Sequence, residues 1–152
     1  GEYILTRPAN ECVREFEEDV DRSKVLTAQN IMVPALTTNI EGDGPNVALN
    51  RMRKEEVSML LAVDRKRKLK GSLTAEKARE ARKNNLTLKD VIDKNVRRIP
   101  KDMLVTDIFN LIFDSPAPLA VVEGDRLVGV VIRGSVLEAL ADTETEEVIA
   151  HV

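Results

Sequence analysis

The residues best suited to bind an anion lie where the last predicted strand gives way to a helix. Arg133 and Gly134 are at the predicted start of that helix, and the apolar residues Val130 and Ile132 come just before them. Amides at a helix N-terminus attract anions, glycine permits close approach, and a guanidinium binds phosphate in bidentate fashion. We therefore predict a phosphate site with an apolar wall. The competing interpretation is that Arg133 pairs with Glu138 or with an acid of a neighbouring chain.

Positive charge is concentrated in the middle of the chain. Between Arg51 and Arg98 there are sixteen Lys or Arg against seven Asp or Glu. A solvated surface would account for this run. The alternative is contact with anionic lipid headgroups, worth about 1 kcal/mol per basic residue and weakened by salt. The residues assigned to this membrane and ionic-strength patch are Arg65, Lys66, Arg67, Lys68, Lys70, Lys94, Arg97 and Arg98.

No combination of residues predicts catalysis or a metal site. The chain has one Cys, Cys12, and one His, His151, and it lacks a G-x-x-x-x-G-K-[ST] loop. We expect no catalytic residue, no metal, no cofactor and no enzymatic activity of this chain alone. A net charge of −3 does not favour nucleic-acid binding. The sequence contains no apolar run of about 18 residues, which is the length that would predict a membrane span. We expect a cytoplasmic fragment of a longer protein.

An internal repeat must position these residues. The segment from Leu60 aligns without gaps on the segment from Pro118, which places Gly71 on Gly129 (129 − 71 = 58). Further upstream, Thr27 and Thr87 each precede a short helical turn and can cap it. The chain therefore contains two units of about 60 residues.

Hydrophobic periodicity predicts the order strand, helix, strand, strand, helix in both units. The fold class is α/β, with two small three-stranded sheets that pack together and leave a cleft. The first unit has strands at 35–40, 59–63 and 69–73 and a second helix at 74–84, and the second unit has strands at 96–99, 119–122 and 127–132 and a second helix at 134–141. The apolar positions Ile108, Leu111 and Ile112 indicate a helix face that one chain leaves uncovered, which predicts a homodimer.

This pattern resembles a pair of CBS domains. The residues that carry the resemblance are Ala62, Val63, Asp64, Leu69, Gly71 and Thr74, in the order hydrophobic-V-D … L-x-G-x-h-T. In addition, Ile4–Met32 resembles the segment that joins the ATPase to the CBS pair in glycine betaine, carnitine and choline importers. The resemblance implies a linker helix within 1–26, CBS repeats at 27–86 and 87–141, and an acidic tail at 142–152.

The same resemblance implies a regulatory function. Its expected partners are a second copy of the chain and the ATPase and transmembrane subunits of an osmoprotectant importer, which would hold the module at the inner face of the cell membrane. In many CBS pairs that bind AMP or ATP, a Thr or Ser meets the phosphate and an Asp three residues later accepts the ribose hydroxyls. Thr74 and Ile132 occupy the first of these positions in the two units. Here Lys77 and Ser135 differ from that pattern.

Cyclic di-AMP is the ligand that the osmolyte-transporter family implies, at a two-fold dimer interface. The ligand-binding residues expected on this basis are Arg133, Ile132, Val130, Ala117, Val57 and Thr37. Adenine-nucleotide sensing and a ligand-free dimerisation module remain the alternatives.

Overall fold

The structure, a computed structural model, describes residues 25–115 and 118–151, in which two similar units follow one another. The first unit contains α1 (Ala28–Ile31), β1 (Thr37–Asn39), α2 (Pro45–Glu55), β2 (Met59–Val63), β3 (Leu69–Thr74) and α3 (Ala75–Asn84). The second contains α4 (Leu88–Val91), β4 (Arg98–Pro100), α5 (Val105–Ile112), β5 (Leu119–Glu123), β6 (Arg126–Val131) and α6 (Arg133–His151). The expected linker helix lies outside the described residues.

Each unit begins with one turn of helix that is capped in the same way. The backbone N–H of Thr27 donates to Asn30 Oδ1 at 2.9 Å, and that of Thr87 donates to Asp90 Oδ2 at 3.0 Å. This capping box satisfies amides that the first turn of a helix leaves without partners. The predicted caps at Thr27 and Thr87 are confirmed.

The two sheets have the same topology. In the first, β1 runs parallel to β2 and β2 runs antiparallel to β3, and in the second β4, β5 and β6 repeat this arrangement. The predicted α/β class with two three-stranded sheets is therefore confirmed. The last helix is longer than predicted, since α6 continues from Arg133 to His151 through most of the expected acidic tail.

The gapless alignment of the two hairpins is wrong in the strand that precedes the turn. Val63 pairs with Leu69, whereas Val122 pairs with Leu127, so the first hairpin has one more residue in its turn. Val63 is therefore equivalent to Val122 and not to Val121. Both Val63 and Val122 face the other unit, whereas Val121 lies in the second unit's own core, because a slip of one residue exchanges the faces of a strand.

Three hydrophobic clusters hold the chain together. One lies between the first sheet and α2 and α3, one lies between the second sheet and its helices, and the third joins the two sheets. The third cluster confirms that the units pack together. Its buried residues are Leu61, Val63, Leu69, Ala120, Val122, Leu127 and Val130.

The short leading helices cross over between the units. Ala28 of α1 is buried in the second unit's core and its N–H donates to the carbonyl of Met103 at 2.9 Å. Leu88 and Val91 of α4 are buried in the first unit's core. Each sequence repeat therefore contributes to both cores, and neither core is complete without the other repeat.

Glycine is required where the crossing segments meet the sheets. Ser72 and Asp93 exchange two backbone hydrogen bonds of 2.8 and 2.9 Å, and a Cβ at the adjacent Gly71 would collide with the Asp93 carbonyl. A Cβ at Gly129 would lie 2.8 Å from Met32 Sδ. The repeated glycine thus has the same function in both units, which is close approach of the other repeat.

The helix face that we expected to be uncovered is buried. Ile108 and Ile112 are in the second core and Leu111 packs against it, because α5 lies directly on the second sheet. This removes the residues on which the predicted dimer was argued. Among the side chains described in the second unit, the exposed large apolar ones are instead Leu104, Phe113, Ile132 and Leu137.

Candidate functional site

Arg133 begins α6 and lies beside the end of α5. Its Nη2 is 3.5 Å from the carbonyl oxygen of Ile112, and its Cζ is 5.7 Å from the centre of the Phe113 ring. Among the described side chains it forms no ion pair with Glu138, so the competing interpretation within one chain is not observed. The arginine is exposed and accessible to a ligand.

The start of α6 is open towards solvent. The carbonyl of Ile132 accepts from the amides of Ser135 and Val136 at 3.1 and 3.4 Å. The two preceding amides, of Arg133 and Gly134, are the ones that a helix start leaves available for an anion. A Cβ at Gly134 would meet nothing within 4 Å, which leaves room for a phosphate.

The predicted apolar wall is only partly as expected. Ile132 is 41% exposed next to Arg133, but Val130 is buried between the two sheets and exchanges two backbone hydrogen bonds with Val33. Sequence reasoning missed Phe113, which is 52% exposed and contacts Arg133. Its signal was available, because the chain has only three Phe, one Tyr and no Trp.

Two of the other predicted ligand residues line different cavities. Thr37 lies in a cavity of about 710 Å³ along β1 and α2, whereas Val57 lies in one of about 220 Å³ between α2 and α3. Ala117 is outside the described residues. The structure therefore does not bring Thr37 and Val57 into one cleft of the single chain.

The cavity that contains Thr37 is organised by an ion pair that sequence reasoning missed. Arg51 Nη1 donates to the carbonyl of Thr37 at 2.7 Å and to Asp43 Oδ2 at 3.1 Å. The same carboxylate accepts from the Thr38 hydroxyl and the Asn39 amide, both at 2.9 Å. Partial burial alone would raise the pKa of Asp43, but the hydrogen bonds from Asn39, Thr38 and Arg51 outweigh it and lower that pKa.

Thr74, the candidate phosphate contact of an adenylate site, already caps a helix. Its Oγ1 accepts from the amide of Lys77 at 3.2 Å, and the ammonium group of Lys77 lies 3.5 Å from Glu80. Lys77 occupies the position where an adenylate site has its ribose acceptor, and it is paired with Glu80. This arrangement does not favour AMP or ATP at this end of the first unit.

The tip of the first hairpin is basic and exposed, as predicted. Asp64 organises it, because Asp64 Oδ1 accepts from the amides of Lys66 and Lys68 at 2.8 and 2.9 Å. Desolvation alone would raise the pKa of Asp64, but these two bonds and the nearby lysines lower it. The tip also contacts the other hairpin, since the Leu127 amide donates to the Arg67 carbonyl at 2.9 Å.

Part of this positive charge is paired. Arg65 lies 3.7 Å from Glu41, Lys68 lies 3.6 Å from Asp125, and Lys70 lies 3.9 Å from Asp64. The first two pairs are exposed, where such pairs contribute about 0–1 kcal/mol and weaken with salt, whereas the Asp64 side chain of the third is only 15% exposed. The predicted basic patch is therefore partly neutralised at its tip.

The two stretches of the basic patch meet at one cavity of about 490 Å³. Basic side chains from β3, α4 and the segment before β4 surround it, together with two carboxylates. Its lining consists of Ile40, Glu41, Asp64, Leu69, Lys70, Lys89, Ile92, Lys94 and Arg98. The structure thus brings Lys70, Lys94 and Arg98 together, and it adds Lys89, which sequence reasoning did not assign.

Within the described ranges there is no group of three His, Cys, Asp or Glu side chains that could hold a metal ion. None of the helices described is long and apolar enough to cross a membrane.

Comparison with known proteins identifies the repeats. Residues 88–142 match the family model described as CBS domain. The chain is 43% identical over 92% of its length to the glycine betaine transport ATP-binding protein OpuAA of Bacillus subtilis, of which it covers 34%. It is also 43% identical over 94% of its length to the glycine betaine/carnitine transport ATP-binding protein GbuA of Listeria monocytogenes, of which it covers 36%. The chain spans about a third of the length of these relatives.

Solved structures show the same fold. Staphylococcus aureus OpuCA superimposes with a TM-score of 0.67 at 25% identity, covering 74% of this chain and 97% of that one. The structure of CbpB in complex with c-di-AMP gives a TM-score of 0.73 at 11% identity, covering 88% of this chain and 99% of that one. The match at such low identity shows the fold alone. The chain is thus a tandem pair of CBS repeats, related to the ATP-binding subunits of glycine betaine and carnitine ABC transporters.

Proposed function

We propose that this CBS pair is a cytoplasmic regulatory module of an osmoprotectant ABC importer, and that cyclic di-AMP bound at the start of α6 is its signal. The observation that carries the proposal is the exposed Arg133 at a helix N-terminus with open space at Gly134. The solved structure of CbpB with c-di-AMP, which has the same fold, supports the choice of ligand.

The proposed site combines a charged and an apolar part. Arg133 and the first amides of α6 bind a phosphate, while exposed Ile132 and Phe113 provide the surface for a base. Cyclic di-AMP has two phosphates and two-fold symmetry, so a dimer presents Arg133 once to each phosphate. The remaining proposed lining residues are Val130, Val57, Thr37 and Ala117.

Regulation then follows from linkage. The ATPase and transmembrane subunits would lie outside this chain, and ATP hydrolysis would take place there. A ligand shifts the importer between active and inhibited states only by the difference between its affinities for the two states.

Calorimetric titration of the chain with cyclic di-AMP tests the proposal. Arg133→Ala should weaken binding at least tenfold, since a hydrogen bond to a charged group is worth about 1.5–3 kcal/mol. Arg126→Ala is the matched control, because Arg126 is an exposed arginine at the other end of β6. Equal binding by wild type and Arg133→Ala would reject the site, preference for AMP would favour the adenylate alternative, and no binding of either nucleotide would favour the dimerisation module.

A second candidate function is ionic-strength sensing at an anionic membrane. It is favoured by the exposure of Arg65, Lys66, Arg67 and Lys68 at one hairpin tip. We expect binding to vesicles that contain phosphatidylglycerol at low salt, with release at high salt. Charge reversal of Arg65–Lys68 should abolish that binding, whereas reversal of Arg79 and Lys83 on α3 should not. Vesicle binding that ignores salt would contradict this function.

A further inference from the structure

The cavity of about 490 Å³ beside the first hairpin concentrates positive charge. Lys70, Lys89, Lys94 and Arg98 line it, against the two acids Glu41 and Asp64. A concave surface with an excess of one charge focuses the field and concentrates counter-ions. Its volume is within the range of roughly 300–1,000 Å³ that is usual for ligand pockets.

Both acids of the cavity accept hydrogen bonds from backbone amides of the hairpin turn. Glu41 Oε1 accepts from the Arg65 amide at 2.7 Å, and Asp64 accepts from two amides of the turn. Lys70 lies 3.9 Å from Asp64, which is a long distance for an ion pair. The acids therefore shape the turn and keep their charge, so four basic side chains against two acids leave the cavity with a net excess of two positive charges.

The basic side chains differ in how they are held. Arg98 donates through Nη1 to the Val96 carbonyl at 2.9 Å and through Nη2 to the Leu69 carbonyl at 3.3 Å, which fixes its guanidinium without neutralising it. Lys89 and Lys94 form no ion pair among the described residues. Asp90, next to Lys89, is bound by the amide and hydroxyl of Thr87, at 3.0 and 2.9 Å.

The internal repeat shows that the fold does not require these charges. The β3 residue Lys70 corresponds to Val128 of β6, and Lys89 of α4 corresponds to Gln29 of α1, by the equivalences of the glycines and the capping threonines. Arg98 corresponds to Thr37, since each begins the first strand of its sheet. Lys94 corresponds to Pro34, since the residues before them, Asp93 and Val33, form equivalent bridges to β3 and β6. All four basic positions are uncharged in the other unit.

We propose that this cavity is a binding site for a polyvalent, phosphate-bearing anion. Fixed Arg98 supplies oriented donors, and Lys89 and Lys94 supply ammonium groups that form no ion pair among the described residues. The site is separate from the one at Arg133. It also lies at the opposite end of β3 from Thr74, so it is not the phosphate position of an adenylate site.

Titration calorimetry with inorganic tripolyphosphate at low salt tests the site on the whole chain. We expect saturable binding with one ion per chain, weakened at least tenfold in Lys89→Gln/Lys94→Gln because two charged donors are lost. The matched control is Arg79→Gln/Lys83→Gln, which removes the same charge from exposed residues that do not line the cavity. Circular dichroism should give the same unfolding midpoint for both variants.

A second titration identifies the source of the phosphate. If vesicles with phosphatidylglycerol bind, and their binding needs Lys89 and Lys94 and is displaced by tripolyphosphate, a lipid headgroup occupies the cavity. If vesicles bind equally well to both double variants, the cavity takes a free phosphate compound. Equal weakening of tripolyphosphate binding by the two double variants, or no saturable binding by the wild type, would overturn the proposal. Neither result bears on cyclic di-AMP and Arg133.

Discussion

Substitution of Gly71 by alanine tests whether the crossing of the two repeats stabilises the fold. The new Cβ would collide with the backbone carbonyl of Asp93, which cannot rotate away as a side chain can. Relief requires that the 2.8 and 2.9 Å hydrogen bonds between Ser72 and Asp93 lengthen or break. Each bond contributes about 0.5–1.5 kcal/mol, and alanine recovers about 0.4–1 kcal/mol by restricting the unfolded chain.

The expected net loss for Gly71→Ala is about 1–2 kcal/mol in the free energy of unfolding. At about 2–4 °C per kcal/mol for a chain of this size, the midpoint should fall by several degrees. Gly129→Ala should cost less, because the closest atom is Met32 Sδ at the flexible part of a side chain. Gly134→Ala is the control, since its Cβ meets nothing within 4 Å and alanine favours the helix.

Urea unfolding followed by circular dichroism, without ligand, measures the order of the three variants. We expect Gly134→Ala to be the most stable variant, Gly129→Ala to be intermediate and Gly71→Ala to be the least stable. Wild-type stability of Gly71→Ala would refute the reasoning, because it would mean that the Asp93 segment does not lie against β3 in solution. A Gly134→Ala variant less stable than Gly71→Ala would refute it as well.

Three further predictions concern packing, pH and assembly. Ile108→Ala should lower the free energy of unfolding by about 2–5 kcal/mol in urea titrations, because Ile108 is fully buried, whereas Leu137→Ala, at an exposed site, should cost less than about 1 kcal/mol. The folded pKa of Asp43 is below its ordinary value of 3.8, so its stabilisation is complete above that pH and is lost as the pH falls through the folded pKa. The difference in unfolding free energy between wild type and Asp43→Asn should therefore shrink below pH 3.8, and a constant difference would contradict the assignment. If the second unit's exposed apolar side chains cover one another in a homodimer, light scattering should give a dimer mass for the wild type and a monomer mass for Phe113→Ser, and a monomeric wild type would contradict this prediction.

The fold could be predicted because its determinants are local. Thr27 and Thr87 cap helices through side chains three residues away, and hydrophobic alternation is sufficient to find the hairpin strands. Because the sequence repeats, the same order of helices and strands could then be assigned to the second unit. The alignment failed in the strand that ends at Val63, because a turn can gain a residue without changing the pattern of the strands on either side.

The site was harder to predict because its determinants are distant in sequence. Phe113 meets Arg133 only because α5 and α6 are neighbours in space, and Arg51 meets Thr37 only because α2 lies across β1. Burial was also misjudged from sequence: Val130 has the same apolar character as Ile132, yet the crossing segment at Val33 covers one and leaves the other exposed.

Departures from the internal repeat are therefore the most informative positions of this chain. Positions where the two units agree, such as Gly71 and Gly129, are explained by close packing that both units need. The units differ at the cavity beside the first hairpin, where Lys89 has the counterpart Gln29. They differ again at Arg133, the first residue of α6. Its counterpart in the first unit is Ala75, the first residue of α3, which follows the cap residue Thr74. Both units share the same backbone, and packing does not require these charges. This is the physical reason to propose binding at these two places.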